Sequence, residues 1–159
     1  MEICDVLDET GNRTGRKVAR GTRLARGEYY SVVHVWIRNE AGEYLVQKRA
    51  PHLASDPGIW ATTVGYVMAD EDSISGAIRE VSEELGIQLP PERLRRLARH
   101  KMDNRIEDLW LAEVSTIAIG APALGSEVSD WKWASMAELA KMVSRGDFFP
   151  YSYFGDRLK

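Results

Sequence analysis

At 159 residues the chain can bury one sizeable core, and 44% hydrophobic with 28% charged residues is an ordinary globular balance, so 1–159 is expected to be a single domain. A net charge of −3 without a basic stripe argues against a nucleic-acid polymer as partner, and no apolar run nears the roughly 18 residues of a membrane span. The start, MEICDVLDETGNR, does not read as a signal peptide, and the single Cys4 excludes an internal disulfide or a multi-cysteine metal site; the expected location is a reducing cytoplasm, with Cys4 a small apolar filler.

The apolar–polar alternation of residues 1–6 and the turn Asp8-Glu9-Thr10-Gly11-Asn12 predict an N-terminal hairpin. Residues 30–38, YSVVHVWIR, are β-branched and aromatic, and Asn39-Glu40-Ala41-Gly42 turns them into 43–49, EYLVQKR, which predicts a second hairpin. A loop with Pro51 and Pro57 follows, and 60–67 resumes as a strand. Residues 73–85 read as the main helix, capped by Asp72 or Ser73, with Ile74, Ile78, Val81 and Leu85 as its core stripe and Gly86 as its stop. Further strands are expected at 97–101, 108–116 and 129–133. A second helix is expected at 135–145, opened by a Ser135–Glu138 capping box and closed by Gly146. The terminal FFPYSYFGDRLK is expected to add a short third helix. Strands interleaved with two separated helices predict a mixed sheet covered on both faces.

On the main helix, Glu80, Glu83 and Glu84 stand at i, i+3 and i+4 and share one face. Such pairs repel by about 0.2–0.5 kcal/mol each, in the last turns of a helix where the macrodipole also disfavours anions. A divalent cation on the carboxylates would offset both costs. On a helical wheel they lie beside the apolar stripe, at the edge of a packed interface. Magnesium is the natural occupant, since it takes hard oxygen ligands and bridges carboxylates to substrate phosphates; manganese would serve as well. Such an ion neutralises anionic oxygens and acidifies a bound water, and a free glutamate can take the proton.

The segment GYVMADEDSISGAIREVSEELGI resembles the Nudix box at every defined position: Gly65, Glu71, Arg79, Glu80, Val81, Glu83, Glu84, Gly86 and Ile87. A chance match is on the order of 10⁻⁷ per chain. The resemblance outweighs the alternative of a solvated face with Arg79 paired to Glu83. It implies an α/β/α sandwich around a central mixed β-sheet. It also implies a Mg²⁺-dependent hydrolase of a diphosphate bond, in a nucleoside diphosphate linked to another moiety or a related small phosphorylated metabolite. Glu80, Glu83 and Glu84 match the family's metal ligands, and Glu71 and Arg79 its supporting pair. Gly65 would let its loop fold close beneath the site. The catalytic set is expected among Glu83, Glu84 and Glu127. Glu127 resembles, by placement, the extra ligand or base of the nucleoside-triphosphatase branch, with Glu107 and Glu113 as competitors. Family members frequently form dimers, so a homodimer belongs among the expectations, though the sequence discloses no interface. One departure is Asp70, where the family often has glycine.

Outside the box, Arg49 ends a strand and can reach a phosphate of the small-molecule substrate bidentately. Trp36, Trp60 and Trp110 are read as core, and His34 as a satisfied core or edge histidine. The wider pattern also resembles type I isopentenyl-diphosphate isomerases. Against that activity, Trp60-Ala61-Thr62-Thr63-Val64-Gly65-Tyr66 lacks their cysteine, and Arg23 and Tyr30 fall where their metal-binding histidines would be. A glutamate near Glu107 could match their second acid. The remaining alternative is a module that binds nucleotide without cleaving it, which has no need of the full carboxylate set.

Overall fold

The computed structural model describes residues 1–158. Strands β1 (Ile3–Leu7) and β2 (Arg13–Ala19) form the expected hairpin, pairing from Ile3↔Ala19 to Leu7↔Arg13. Asp8 holds the turn: its Oδ1 accepts from the Thr10 and Asn12 amides at 2.8 and 3.1 Å. Cys4 is buried beside Val6, Val18 and Tyr30, the filler position expected of it.

Strands β3 (Tyr30–Arg38) and β4 (Tyr44–Arg49) do not build the expected ladder; after the turn they pair only at Arg38↔Tyr44 and then diverge. The cause is burial on both faces of β3, whose apolar side chains leave no face for water. It lies instead between β8 (Arg105–Glu113), parallel to it from Tyr30↔Arg105 to Arg38↔Glu113, and β6 (Thr63–Tyr66), antiparallel to it. Strand β4 turns away to pair with β9 (Val128–Ala134) and with β5 (Trp60–Ala61). A wedge opens between β3 and β4. The single strand expected at 60–67 is therefore divided at Thr62, which crosses the wedge and donates from Oγ1 to the Val35 carbonyl at 2.5 Å.

Helix α1 (Ser73–Leu85) covers one face, burying Ala77, Val81 and Leu85 against Val33, Val35 and Ile37 of β3. Strand β7 (Leu94–Lys101) pairs with β8 at the sheet's edge. β8 starts and stops three residues before the expected 108–116, because its ladder is set by the ends of β3. Thr116 begins instead the one-turn helix α2 (Thr116–Ile119), its amide held by Glu40 Oε2 at 3.0 Å. Helix α3 (Met136–Arg145) opens with the expected capping box and buries Leu139 and Met142 on the opposite face, against Trp36, Tyr44 and Val46. The result is a mixed sheet sandwiched between helices.

Among the described residues no further helix follows α3, so the helix expected in the terminal segment does not form there. Phe148 bridges alongside Trp60, and Phe149 donates its amide to the Trp60 carbonyl at 2.9 Å, so the segment is drawn out along β5. Phe148, Tyr151 and Tyr153 then enter the core beside Trp36, an arrangement that one helical stripe could not provide. Trp36 is fully buried, whereas Trp60 and Trp110 are half-buried at the core's margin. Among the described residues no helix is long and apolar enough to cross a membrane.

Candidate functional site

Helix α1 is fixed at both ends. Asp72, one of the two expected caps, accepts from the Ser75 amide at 2.9 Å, and Gly86 takes a left-handed conformation, φ 64°, that closes the helix on Ser82. With the apolar stripe facing the sheet, Glu80 is buried to 9% exposure, Glu84 is half-buried and Glu83 is exposed. Glu80 points at β6. Its carboxyl group lies against Gly65, where any Cβ would overlap all three carboxyl atoms.

Arg79 organises this edge. Its Nε and Nη2 reach Glu71 Oε1 and Oε2 at 2.9 and 3.0 Å, a bidentate pair. Nη1 reaches Glu80 Oε1 at 2.9 Å and Glu83 Oε2 at 3.2 Å, and Nη2 donates also to the Tyr66 carbonyl at 2.8 Å. Glu71 accepts in turn from the Met68 amide at 3.0 Å. One guanidinium thus ties the entry loop, strand β6 and two helix carboxylates together. Asp70 resolves the departure noted above: it adopts the left-handed φ of 67° that usually calls for glycine, which an aspartate tolerates, and it pairs with Lys17 at 2.6 Å.

The loop before β9 is clamped to the end of α1. Ala123 and Gly125 donate their amides to the Leu85 and Glu84 carbonyls at 2.8 and 2.9 Å, satisfying orphan acceptors of the helix terminus. Gly125 is in contact with the Glu83 carbonyl, leaving no room for a side chain. This docking carries Glu127 to the rim of a cleft of about 480 Å³, where it meets Glu80, Glu83, Glu84 and Arg49. Arg49 is tethered there, donating from Nε and Nη2 to the Ser55 carbonyl at 3.1 and 2.8 Å. Arg20, which sequence reasoning missed, closes the far side from the N-terminal hairpin, 4.5 Å above the Tyr66 ring and paired with Glu2 at 2.7 Å. Only the docking of that hairpin brings it near.

Burial pushes the Glu80 carboxyl up to about 7 although Arg79 opposes the shift. Burial likewise pushes Glu84 up to about 8, against the hydrogen bond from Gln47 Nε2 at 2.5 Å and with the charges of Glu80 and Glu127 adding to the rise. The lining of the cleft sets Glu2, Glu80, Glu83, Glu84 and Glu127 against Arg20 and Arg49. Hard oxygen donors short of positive charge fit a hard divalent cation. As the side chains lie, Glu80 and Glu83 are turned onto Arg79 and Glu84 onto Gln47, and among the described residues no three acidic or histidine groups enclose an ion.

A second cavity, of about 250 Å³, adjoins the cleft and shares Arg49 and Glu84 with it. It occupies the wedge between β3 and β4, with His34 and Glu107 in its wall and Tyr151 over it. His34 is satisfied as expected, its Nδ1 2.7 Å from the Tyr153 hydroxyl. Glu107 belongs to this cavity rather than to the carboxylate cleft. Glu113 belongs to neither, pairing with Arg38 at the other end of β3. Gln47, also missed, stands two residues before Arg49 on β4, so strand alternation was the signal that could have found it. It links Thr63 Oγ1, at 3.0 Å, to Glu84.

A family model described as the NUDIX domain matches residues 28–152. The chain is 33% identical over 154 residues to an uncharacterized Nudix hydrolase of Listeria monocytogenes, covering 96% of this chain and 91% of that one. It is 26% identical over 148 residues to the isopentenyl-diphosphate Δ-isomerase of Paenarthrobacter aurescens, covering 87% and 79%. The crystal structure of DR0079 from Deinococcus radiodurans shares the fold with a TM-score of 0.74 at 19% identity, covering 92% of this chain and 91% of that one.

Proposed function

Since the chain belongs to the Nudix hydrolases, we propose that it cleaves the diphosphate bond of a small substrate, a nucleoside diphosphate linked to another moiety or a related phosphorylated metabolite. The observation that carries this reading is the convergence of Glu80, Glu83, Glu84 and Glu127 with Arg49 on one cleft. Glu80, Glu83 and Glu84 would hold Mg²⁺, with Mn²⁺ an acceptable substitute, and Glu127 would complete the set. When bound, the ion supplies neutralisation of the diphosphate and a more acidic water.

The chain's own residues do the rest. Arg79 and Glu71 keep Glu80 and Glu83 in place, the supporting role that metal sites require of neighbouring groups. Arg49 lies at the junction of cleft and cavity, where its guanidinium can grip a phosphate. Of the catalytic set Glu83, Glu84 and Glu127, Glu84 has Oε2 engaged by Gln47, leaving Oε1 for the ion, and whichever of the three is not fully engaged by metal can accept the proton of the attacking water.

The isomerase reading, raised by the relative above, lacks its thiol: Cys4 is buried in the N-terminal hairpin's own cluster, and burial pushes its thiol up. Purified protein offered Mg²⁺ and a panel of nucleotide sugars, dinucleotides, nucleoside triphosphates and prenyl diphosphates should turn over at least one hydrolytically, and isopentenyl diphosphate should yield no allylic isomer. Glu83→Gln and Glu84→Gln should each cost orders of magnitude in kcat. Full activity in both would remove the reading, and tight ligand binding with no product would favour the binding module.

A further inference from the structure

Nothing in the hydrolytic reading uses His34 and Glu107, the buried ionisable pair in the wall of the second cavity. Buried ionisable groups are retained only where they are paired or put to use. Val32, His34 and Trp36 point to one face of β3, and Glu107 lies beside Val32 across the parallel ladder. Glu107 is 7% exposed, and its Oε1 accepts from Arg105 Nε at 2.5 Å. Its Oε2 has only His34 Nε2 facing it, at 3.7 Å, beyond hydrogen-bond range among the described residues. Yet no fully enclosed side-chain oxygen lacks a partner among the described residues, so Oε2 opens onto the cavity. In the lining of the same cavity, the Tyr151 hydroxyl accepts from the Thr62 amide at 3.3 Å and keeps its own proton to give. The wall thus offers a charged acceptor and a neutral donor.

We propose that this cavity receives the group attached to the diphosphate, and that Glu107 is its specificity-determining residue, selecting a moiety that carries hydroxyl or amino donors and rejecting hydrocarbon. The proposal rests on the hydrolytic reading for the position of the diphosphate, because Arg49 and Glu84 line both the cleft and the cavity. A prenyl tail in this space would strip water from Glu107 Oε2 and give it no hydrogen in return. Ionisation of that carboxylate is secure: burial opposes it, but His34 and Arg105 hold it at about 2. Both a sugar and a nucleobase present suitable donors; the Phe149 and Tyr151 rings in the wall, 4.8 Å apart, add a surface on which a flat ring can lie.

The test is calorimetric binding of monophosphates to the whole protein without metal, a measurement that does not depend on hydrolysis. The probes are ribose 5-phosphate, cytidine monophosphate and isopentenyl monophosphate. The wild type should bind at least one of the first two tenfold or more tightly than the third. Glu107→Gln, which keeps the side chain's shape, should reduce that ratio at least fivefold, and Glu107→Leu should reverse it. Ribose 5-phosphate alone matching cytidine monophosphate assigns the cavity to the sugar; a further gain with cytidine monophosphate assigns it to the base. Equal affinities for all three probes, measurable or not, or a ratio unchanged in Glu107→Gln, would overturn the proposal. A protein that hydrolyses nothing yet keeps the preference would sink the hydrolytic reading and leave the cavity's selectivity standing.

Discussion

The carboxyl group of Glu80 rests directly on the α-carbon of Gly65, helix against strand, with no room between them for a methyl group. The backbone at Gly65 is extended and not left-handed, so the requirement for glycine there is steric approach and nothing else. Gly65→Ala should therefore swing Glu80 away from Arg79 and out of the cleft. Because a single flexible side chain can absorb the clash, stability should fall by only about 1 kcal/mol, while kcat falls by roughly 10²-fold through loss of a precisely held group. Thermal unfolding and hydrolysis measured side by side check the split; comparable losses in both would contradict it.

Arg79→Lys keeps the charge and loses the fork. A lysine cannot hold Glu71 bidentately while reaching Glu80, Glu83 and the Tyr66 carbonyl. With the guanidinium only a quarter exposed, the lost charge-assisted bonds should cost about 2 kcal/mol by urea titration. Activity should drop about 10- to 100-fold, the usual consequence of loosening the groups that orient metal ligands.

The metal-free protein should lose stability as pH rises. Glu80 and Glu84 hold protons more tightly folded, with values of about 7 and 8, than at the ordinary 4.5 of the unfolded chain. Between about pH 4.5 and those values the folded state binds more protons, so unfolding becomes easier with each step, by up to about 1.4 kcal/mol per pH unit for each group. Below that window both states are protonated and the effect vanishes. The melting temperature in chelator should fall from pH 5 to pH 8, and adding Mg²⁺ should raise it more at pH 8 than at pH 5. A flat profile in chelator would refute the coupling.

Tyr153→Phe tests the core beneath the second cavity. The Tyr153 hydroxyl accepts from Trp36 Nε1 at 3.1 Å and is bonded to His34 Nδ1 at 2.7 Å. Removing it orphans two buried polar groups at once, which should cost about 2 kcal/mol. Denaturant titration should register this as a lower midpoint with an unchanged slope.

Much of the fold was legible because local patterns and tertiary context agreed. The apolar stripe and caps of the main helix set its limits at Ser73 and Leu85, and the Ser135–Glu138 box set the start of the last helix. The misreadings have one source. Tyr30–Arg38 and Tyr44–Arg49 look like hairpin partners from the turn between them, but a strand apolar on both faces is claimed by whatever can bury it, and here that is Arg105–Glu113, far along the chain. The parting of those strands creates the second cavity, and no local pattern announces it.

By itself the sequence determined the chemistry on offer: a helix with Glu80, Glu83 and Glu84 on one face, an arginine beside them and a glycine at 65, since spacing along a helix fixes which side chains are neighbours. Only the tertiary structure decided what those groups meet. It set Glu127 at the cleft through amides docked on the helix end, sent Glu113 to the opposite rim, and buried Glu107 in a separate cavity. The physical reason is that spacing is a local property, whereas a cleft is made by segments whose separation in sequence carries no record of their distance in space.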